Sequence, residues 1–349
     1  FDKLKLDYPR TEKTKEPSFT QNWLINNKNK IAQLIVSARE INKFHGTFLS
    51  SIMKYQVNGR IHGEINQLRG DNGGTVSGRL SMSNPNLQQV PARNKDFGPK
   101  IRSLFIPEEG FKWGSFDYSQ QEPRMTVHYA ASIGEGYEGS NELVQAYQNS
   151  EADFHQTVAD LVGIERTQAK TIGLGLMYGM GKNKLAISLG VSKDEADELI
   201  IKYNKKVPFV KKLSDRCKFA ADEKGVIRTK KGRKCRFDMW ETRDFGLHIA
   251  EKYEDAVAKY GKNNIKRAYT YKALNRLIQG SSADQTKQSM LDCFNEGHLP
   301  MLQIHDELCF NVKDEKHAKE IQKIMQNAIK FKVPSVVDFG LGKSWGDAK

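Results

Sequence analysis

The chain has 349 residues, and 55 Lys and Arg against 42 Asp and Glu give it a formal charge of +13. That length allows one large multi-lobed domain or two ordinary ones, and no apolar run approaches the ~20 residues that would cross a membrane. The basic excess suits a polyanion, nucleic acid first, and leaves catalytic and purely binding proteins both open.

Residues 1–18 are basic and contain proline, as the tail of some preceding structure would be. From Gln21 to Ser51 the spacing of Trp23, Ile31, Leu34, Ile35, Ala38, Ile41 and Phe44 predicts a packing helix. Ile61–Leu68 predicts a strand, which runs into Gly73-Gly74-Thr75-Val76-Ser77-Gly78-Arg79-Leu80-Ser81 and then Asn84-Pro85-Asn86-Leu87-Gln88-Gln89-Val90-Pro91. Turn residues at that density leave backbone amides and hydroxyls free to bond outward. Phe111–Phe116 is short, aromatic-rich and uncharged after Lys112, the pattern of a buried strand. It ends in Asp117-Tyr118-Ser119-Gln120-Gln121-Glu122-Pro123-Arg124, after which a helix opens near Met125 with Pro123 tolerated in its first turn.

Ser140–Asn149 predicts loop and helix, and Glu151-Ala152-Asp153-Phe154-His155 leads into a further helix. In Arg166–Gly181, the residues Arg166, Lys170, Leu174 and Tyr178 recur every four positions and so form one slowly drifting helical stripe. Its two cations suit a triphosphate and its aromatic end suits a base and sugar. Gly173, Gly175 and Gly179 each cost a helix roughly 1 kcal/mol against alanine, which predicts close approach by a base pair or another backbone. Pro208–Trp240 predicts a helix and then a basic hairpin, Gly225–Arg236. Glu241–Lys266, with Ile249, Tyr253, Ala256, Val257 and Tyr260, predicts a peripheral packing helix. Tyr271–Asp292 predicts one long helix with Asn275 and Gln279 on a shared face. Pro300–Ile304, His305-Asp306-Glu307 and Leu308–Val312 predict strand, tight turn and strand.

An aspartate at the end of an apolar strand is costly to bury unless a cation or several donors meet it. Here there are two, Asp117 and Asp306, and such a pair can hold two hard cations about 3.5–4 Å apart for in-line phosphoryl transfer. At these residues the chain resembles the family A, polymerase I-like, DNA polymerases: Asp117–Arg124 is similar to their motif A, Arg166–Gly181 to motif B and Gln303–Glu307 to motif C. Thr75–Pro91, Gln279-Gly280-Ser281-Ser282-Ala283-Asp284, Gly225–Arg236 and Asp153–His155 resemble further family elements, so that the likeness runs from about Thr75 to the end of the chain.

The resemblance implies an α+β right hand with an antiparallel palm sheet, helical fingers and a partial thumb. It places a thumb remnant in 1–50, palm in 51–132, fingers in 133–268 and the rest of the palm in 269–349. It implies a template-directed DNA polymerase adding dNTPs to a primer 3′-OH, with Asp117, Asp306 and Lys170 catalytic. Two Mg2+ ions, or Mn2+ in their place, would bind Asp117, the Tyr118 carbonyl and Asp306, with Glu307 in support. His155, Arg166, Lys170, Leu174, Tyr178, Gln120 and Glu122 would serve the dNTP; Arg79, Asn275, Gln279 and His305 would serve primer–template DNA. Glu122 would crowd a ribose 2′-OH, which argues against a single-subunit RNA polymerase.

A two-metal nuclease needs the paired carboxylates but not the Arg166–Tyr178 stripe, and a plain binder needs neither. Three residues depart from the family pattern: Gln121 and Pro123 replace an apolar pair, and Leu174 replaces an aromatic. Cys217, Cys235, Cys293 and Cys309 form no CxxC pair and predict free thiols. With Phe first and no secretory segment, the expectation is a soluble intracellular protein lacking its true N-terminus, in host cytoplasm if the source is a phage.

Overall fold

The computed structural model describes residues 1–2, 7–11, 14–68, 70, 74–91, 94, 96–148, 153–244, 246 and 248–348. Gly73, Asn149, Glu151 and Ala152, named above, lie outside the described residues.

The single helix expected over Gln21–Ser51 is divided. A first turn, Gln21–Asn26, is separated from α1 (Lys30–Lys43). The cause is local: Asn27 Oδ1 accepts from the Asn29 amide at 2.9 Å, and Asn29 Oδ1 accepts from Ile31 at 2.9 Å. Asn side chains that bond nearby amides end one helix and start the next. Beyond α1 the coil widens to a π turn, Phe44–Leu49, which carries Phe44 and Phe48 into the core.

The centre is a four-stranded antiparallel sheet built from β1 (Lys112–Tyr118), β2 (Pro300–Ile304), β3 (Glu307–Val312) and β4 (Val337–Gly342), in the order β2-β3-β1-β4. Side chains alternate along each strand, so each face is set by every second residue. Phe116, Tyr118, Leu308, Phe310 and Val312 point to one face. They pack with Cys293 of α6 (Ala273–Asn295) and with Ala318, Ile321 and Met325 of α7 (Glu315–Asn327). Trp113 and Cys309 lie on the other face with Trp345, which has Arg102 4.4 Å above its ring. Trp345 is fully buried, and truncating such a ring costs about 3–5 kcal/mol.

The helical lobe follows β1. It comprises α2 (Gln121–Ala131), α3 (Phe154–Val162), α4 (Arg166–Met177) and α5 (Pro208–Lys224), among others, around Met125, Tyr147, Phe154, Ile172, Tyr203, Phe209 and Leu213. Gly173 and Gly179 are explained within this chain. A Cβ at Gly173 would lie 3.1 Å from Tyr203 Oη, and at Gly179 (φ +68°) 3.1 Å from the Tyr271 carbonyl. The peripheral helix expected over Glu241–Lys266 is only Tyr253–Tyr260, flanked by the paired strands Trp240–Thr242 and Ile265–Arg267. Ile249, assigned to its apolar face, is 82% exposed.

Candidate active site

The floor of the site comes from strand register. Ile304 pairs with Glu307, leaving His305 and Asp306 as a two-residue turn in which His305 takes φ 57°. On β3, Glu307 stands opposite Asp117; on β4, Asp338 stands opposite Asp117 from the other side. Opposed residues of antiparallel strands share a face, so Glu307, Asp117 and Asp338 form a row with Asp306 at its rim. Asp338 escaped the sequence reading, because only register reveals it.

The row is uneven. Asp117 is exposed, whereas Glu307 is buried and accepts from Trp345 Nε1 at 3.2 Å and Cys309 Sγ at 3.6 Å. The Tyr118 phenol is likewise committed to the core, donating to the Met325 carbonyl at 2.6 Å and meeting Ser289 Oγ at 2.5 Å. That leaves the Tyr118 main chain for the site. Burial pushes the Asp306 carboxyl above its usual range; its own backbone amide and Arg79 pull it back, and Glu122 pushes it further up.

Beside the acids, four distant segments converge. Arg79, from the Thr75–Pro91 loop, donates to Glu122 Oε1 at 2.7 Å. Tyr178, which caps α4, donates to Glu122 Oε2, and Gln279 of α6 hydrogen-bonds the same phenol. Burial, then the Glu122 charge, holds the Tyr178 phenol protonated far above its ordinary range. Asn275 lies half-buried one turn before Gln279.

A third group lies where α3 and α4 begin. Asp153 caps α3, accepting from the His155 and Gln156 amides at 2.9 and 3.2 Å. Its other oxygen takes Arg166 Nε and Nη2 at 2.8 and 2.6 Å. Lys170 is exposed one turn further on, and Leu174 packs half-buried against the helical core. Gln120, in the left-handed region at φ 51°, accepts from the Phe154 amide at 2.9 Å and so ties the start of α2 to the start of α3. The basic hairpin is also anchored: Arg233 donates to Asp284 at 2.7 Å, to the Ser77 carbonyl at 2.5 Å and to the Gly280 carbonyl. Both halves of that contact stood in quoted motifs, but nothing in their spacing pairs them.

Two buried histidines predict acid sensitivity. Burial lowers His155 to about 4, against the pull of Asp153 and with help from Lys170 and Arg166. Burial, then Lys230 and Lys332, lowers His128 to about 4. The unfolded chain therefore binds protons first, near pH 6.5. Stability from these groups is complete above that pH and is lost as pH falls towards 4, by on the order of 3 kcal/mol per histidine at most. Chemical denaturation from pH 7 to 4.5 is expected to show this loss, and a shallower loss in His128→Gln. An unchanged slope in that variant would remove His128 from the account.

Strand-end acids on an antiparallel sheet, flanked by a helical lobe with a cationic helix start, define a right-hand polymerase fold. Residues 1–347 match the family model described as DNA polymerase family A, and the chain belongs to that family. It is 38% identical to a DNA-directed DNA polymerase of Pseudomonas phage M6, over 95% of this chain and 54% of that protein. It is 30% identical to the thermostable DNA polymerase I of Thermus filiformis, over 100% of this chain and 40% of that protein. The structure resembles the POL domain of Pol1 from M. smegmatis, solved in complex with DNA primer-template and dNTP, with a TM-score of 0.78 and 26% identity over 99% of this chain and 59% of that one. The chain spans about half the length of the phage relatives it matches. Among the described residues, no helix is long and apolar enough to cross a membrane.

Proposed function

We propose that this chain catalyses template-directed transfer of a deoxynucleotidyl unit from a dNTP to a primer 3′-OH, releasing pyrophosphate. The observation that carries the reading is the register that sets Asp117 beside the turn bearing Asp306, with Glu122 at the same rim. In this reading, residues 1–50 are a thumb remnant, 51–132 and 269–349 the palm, and 133–268 the fingers.

Among the described residues no group of three or more His, Cys, Asp or Glu is placed to hold a metal; the donors offered at the strand ends are the Asp117 and Asp306 carboxylates and main-chain oxygen. That all-oxygen set, with a desolvated Asp306, fits a hard divalent cation, and we assign two Mg2+ (or Mn2+) to Asp117, Asp306 and the Tyr118 carbonyl. Bound there, the cations would acidify the primer 3′-OH and offset triphosphate charge. The protein's own groups do the rest. Arg166 turns from Asp153 to the phosphates, Lys170 neutralises them and delivers a proton to the departing pyrophosphate oxygen, and His155 donates a hydrogen bond as a neutral imidazole. Glu307 supports Asp117 from the neighbouring strand. Gln120 fixes the joint between α2 and α3 beside the nucleotide. Arg79 reaches the primer terminus, and Asn275, Gln279 and His305 line the template–primer.

The test is extension of a labelled primer with single dNTPs in Mg2+. Addition only of the nucleotide complementary to the template supports the reading; primer shortening without addition supports a two-metal nuclease instead. Binding to primer–template is expected to weaken steeply with salt as phosphate contacts release counterions.

Leu174 makes a further expectation. It sits one turn past Lys170 and one turn before Tyr178, where a polar tip could meet the sugar. Leucine offers no hydroxyl to replace the bond lost with a missing 3′-OH. Wild-type protein is therefore expected to discriminate against dideoxynucleotides, and Leu174→Tyr to relax this by on the order of 10–100-fold in relative kcat/KM. An unchanged ratio would assign Leu174 to packing alone.

A further inference from the structure

Helix α6 shares apolar clusters with β1 and α2, through Cys293 and through Leu277 and Ile278, but a buried polar row runs beside them. Ser281, Ser282, Gln285, Thr286 and Ser289 are each no more than 2% exposed. Their partners recur along the catalytic segment. Ser289 Oγ meets the Tyr118 phenol at 2.5 Å, Gln285 Oε1 accepts from Gln121 Nε2 at 3.0 Å, Ser282 Oγ reaches Met125 Sδ at 3.3 Å, and Ser281 Oγ meets the Tyr129 phenol at 2.6 Å. Gln285 is held in turn, because its Nε2 donates to Ser335 Oγ at 2.7 Å in the segment leading to β4. The seam therefore ties four regions into one hydrogen-bonded line: β1, α2, α6 and the approach to β4.

Such a seam is a poor way to gain stability. Buried amides and hydroxyls cost free energy unless fully bonded, and Gln121 Oε1 has no partner among the described residues. Apolar contact would fill the same space without that cost. What hydrogen bonds add is direction: they fix rotation and register between two helices more narrowly than methyl groups do. Gln121 immediately precedes Glu122 in the first turn of α2, and Gln285 lies on the helix that carries Asn275 and Gln279.

We infer that Gln121 and Gln285 are positioning residues. Their amide pair sets the first turn of α2 against α6, and so sets where Glu122 stands against the sugar of the incoming nucleotide. The inference rests on the polymerase reading above and adds a specificity determinant to it. Neither residue contacts substrate in this account; both act through Glu122.

The experiment compares wild type, Gln121→Leu, Gln285→Leu and the double variant, measuring kcat/KM for a dNTP and the matching rNTP together with thermal stability. Each single change leaves a buried amide facing a methyl group. It is expected to lower dNTP kcat/KM about tenfold and to reduce discrimination against the rNTP several-fold. The double variant removes both amides and is expected to recover much of the dNTP rate and of the stability. Single variants with shifted Tm but unchanged dNTP/rNTP ratio would reduce the seam to packing and overturn the inference. So would a double variant no better than the worse single one. If wild type extends no primer, it is the polymerase reading that falls; the stability cycle still judges the seam, and additive Tm shifts would show that the two amides are not coupled.

Discussion

Asp306→Ala is expected to abolish primer extension, by ~10³-fold or more, while primer–template binding stays near the wild-type level. The size follows from the proposed role: if Asp306 helps to hold the divalent cations, its loss would fall on the chemical step rather than on affinity. Binding is spared because the carboxylate repels phosphate as well as serving the site. Folding is spared too. Asp306 lies in a tight turn, and burial already disfavours its charge, so removing it takes no support from the core. Asp117→Ala should behave alike, since Asp117 is exposed at the end of β1. Extension assays, binding isotherms and Tm on the same preparations check all three parts. More than a trace of Mg2+-dependent extension by either variant would end the metal assignment.

Glu122→Ala is the second large effect, and it acts on selection. In the structure both Glu122 oxygens are engaged, by Arg79 and by the Tyr178 phenol. This clamp holds the carboxylate in one position, which the proposed function sets against the sugar of the incoming nucleotide as a barrier to a ribose 2′-OH. Discrimination against ribonucleotides is expected to fall on the order of 10–100-fold in kcat/KM ratio. Extension with dNTPs should also slow, because Arg79 and Tyr178 lose their shared acceptor. Tyr178→Phe separates the two consequences: it keeps the ring, removes one donor and should shift selectivity less than Glu122→Ala does. Equal selectivity in wild type and Glu122→Ala would take Glu122 out of the sugar gate.

The sequence by itself determined the elements whose signal is local. Two short, largely apolar runs on either side of His305-Asp306-Glu307 announced the β2–β3 hairpin, an apolar run ending in acid announced β1, and four-residue spacing aligned Arg166, Lys170, Leu174 and Tyr178 on α4. Those patterns, with the resemblance they carried, were enough for the family and the right-hand fold. Some boundaries also have local causes. Asn27 and Asn29 cut the first helix by bonding their own neighbours' amides; the pairing of Trp240–Thr242 with Ile265–Arg267, which shortens the helix at Tyr253–Tyr260, is not local.

Only the tertiary structure decided what depends on pairs far apart in the chain. Asp338 joins the acid row because β4 pairs with β1 in one register; Arg233 finds Asp284 because the hairpin folds onto α6; Arg79 and Tyr178 share Glu122 because a loop, a helix start and a helix end meet at one rim. The polar seam of α6 reads in sequence as a helix with scattered Ser, Thr and Gln. It becomes a line of bonds only when Tyr118, Gln121, Met125 and Tyr129 are laid against it. Periodicity reports which face of an element is apolar, because burial acts on each residue separately. A hydrogen bond or ion pair needs two groups at a fixed distance and angle, and that geometry exists only once the chain has brought them together.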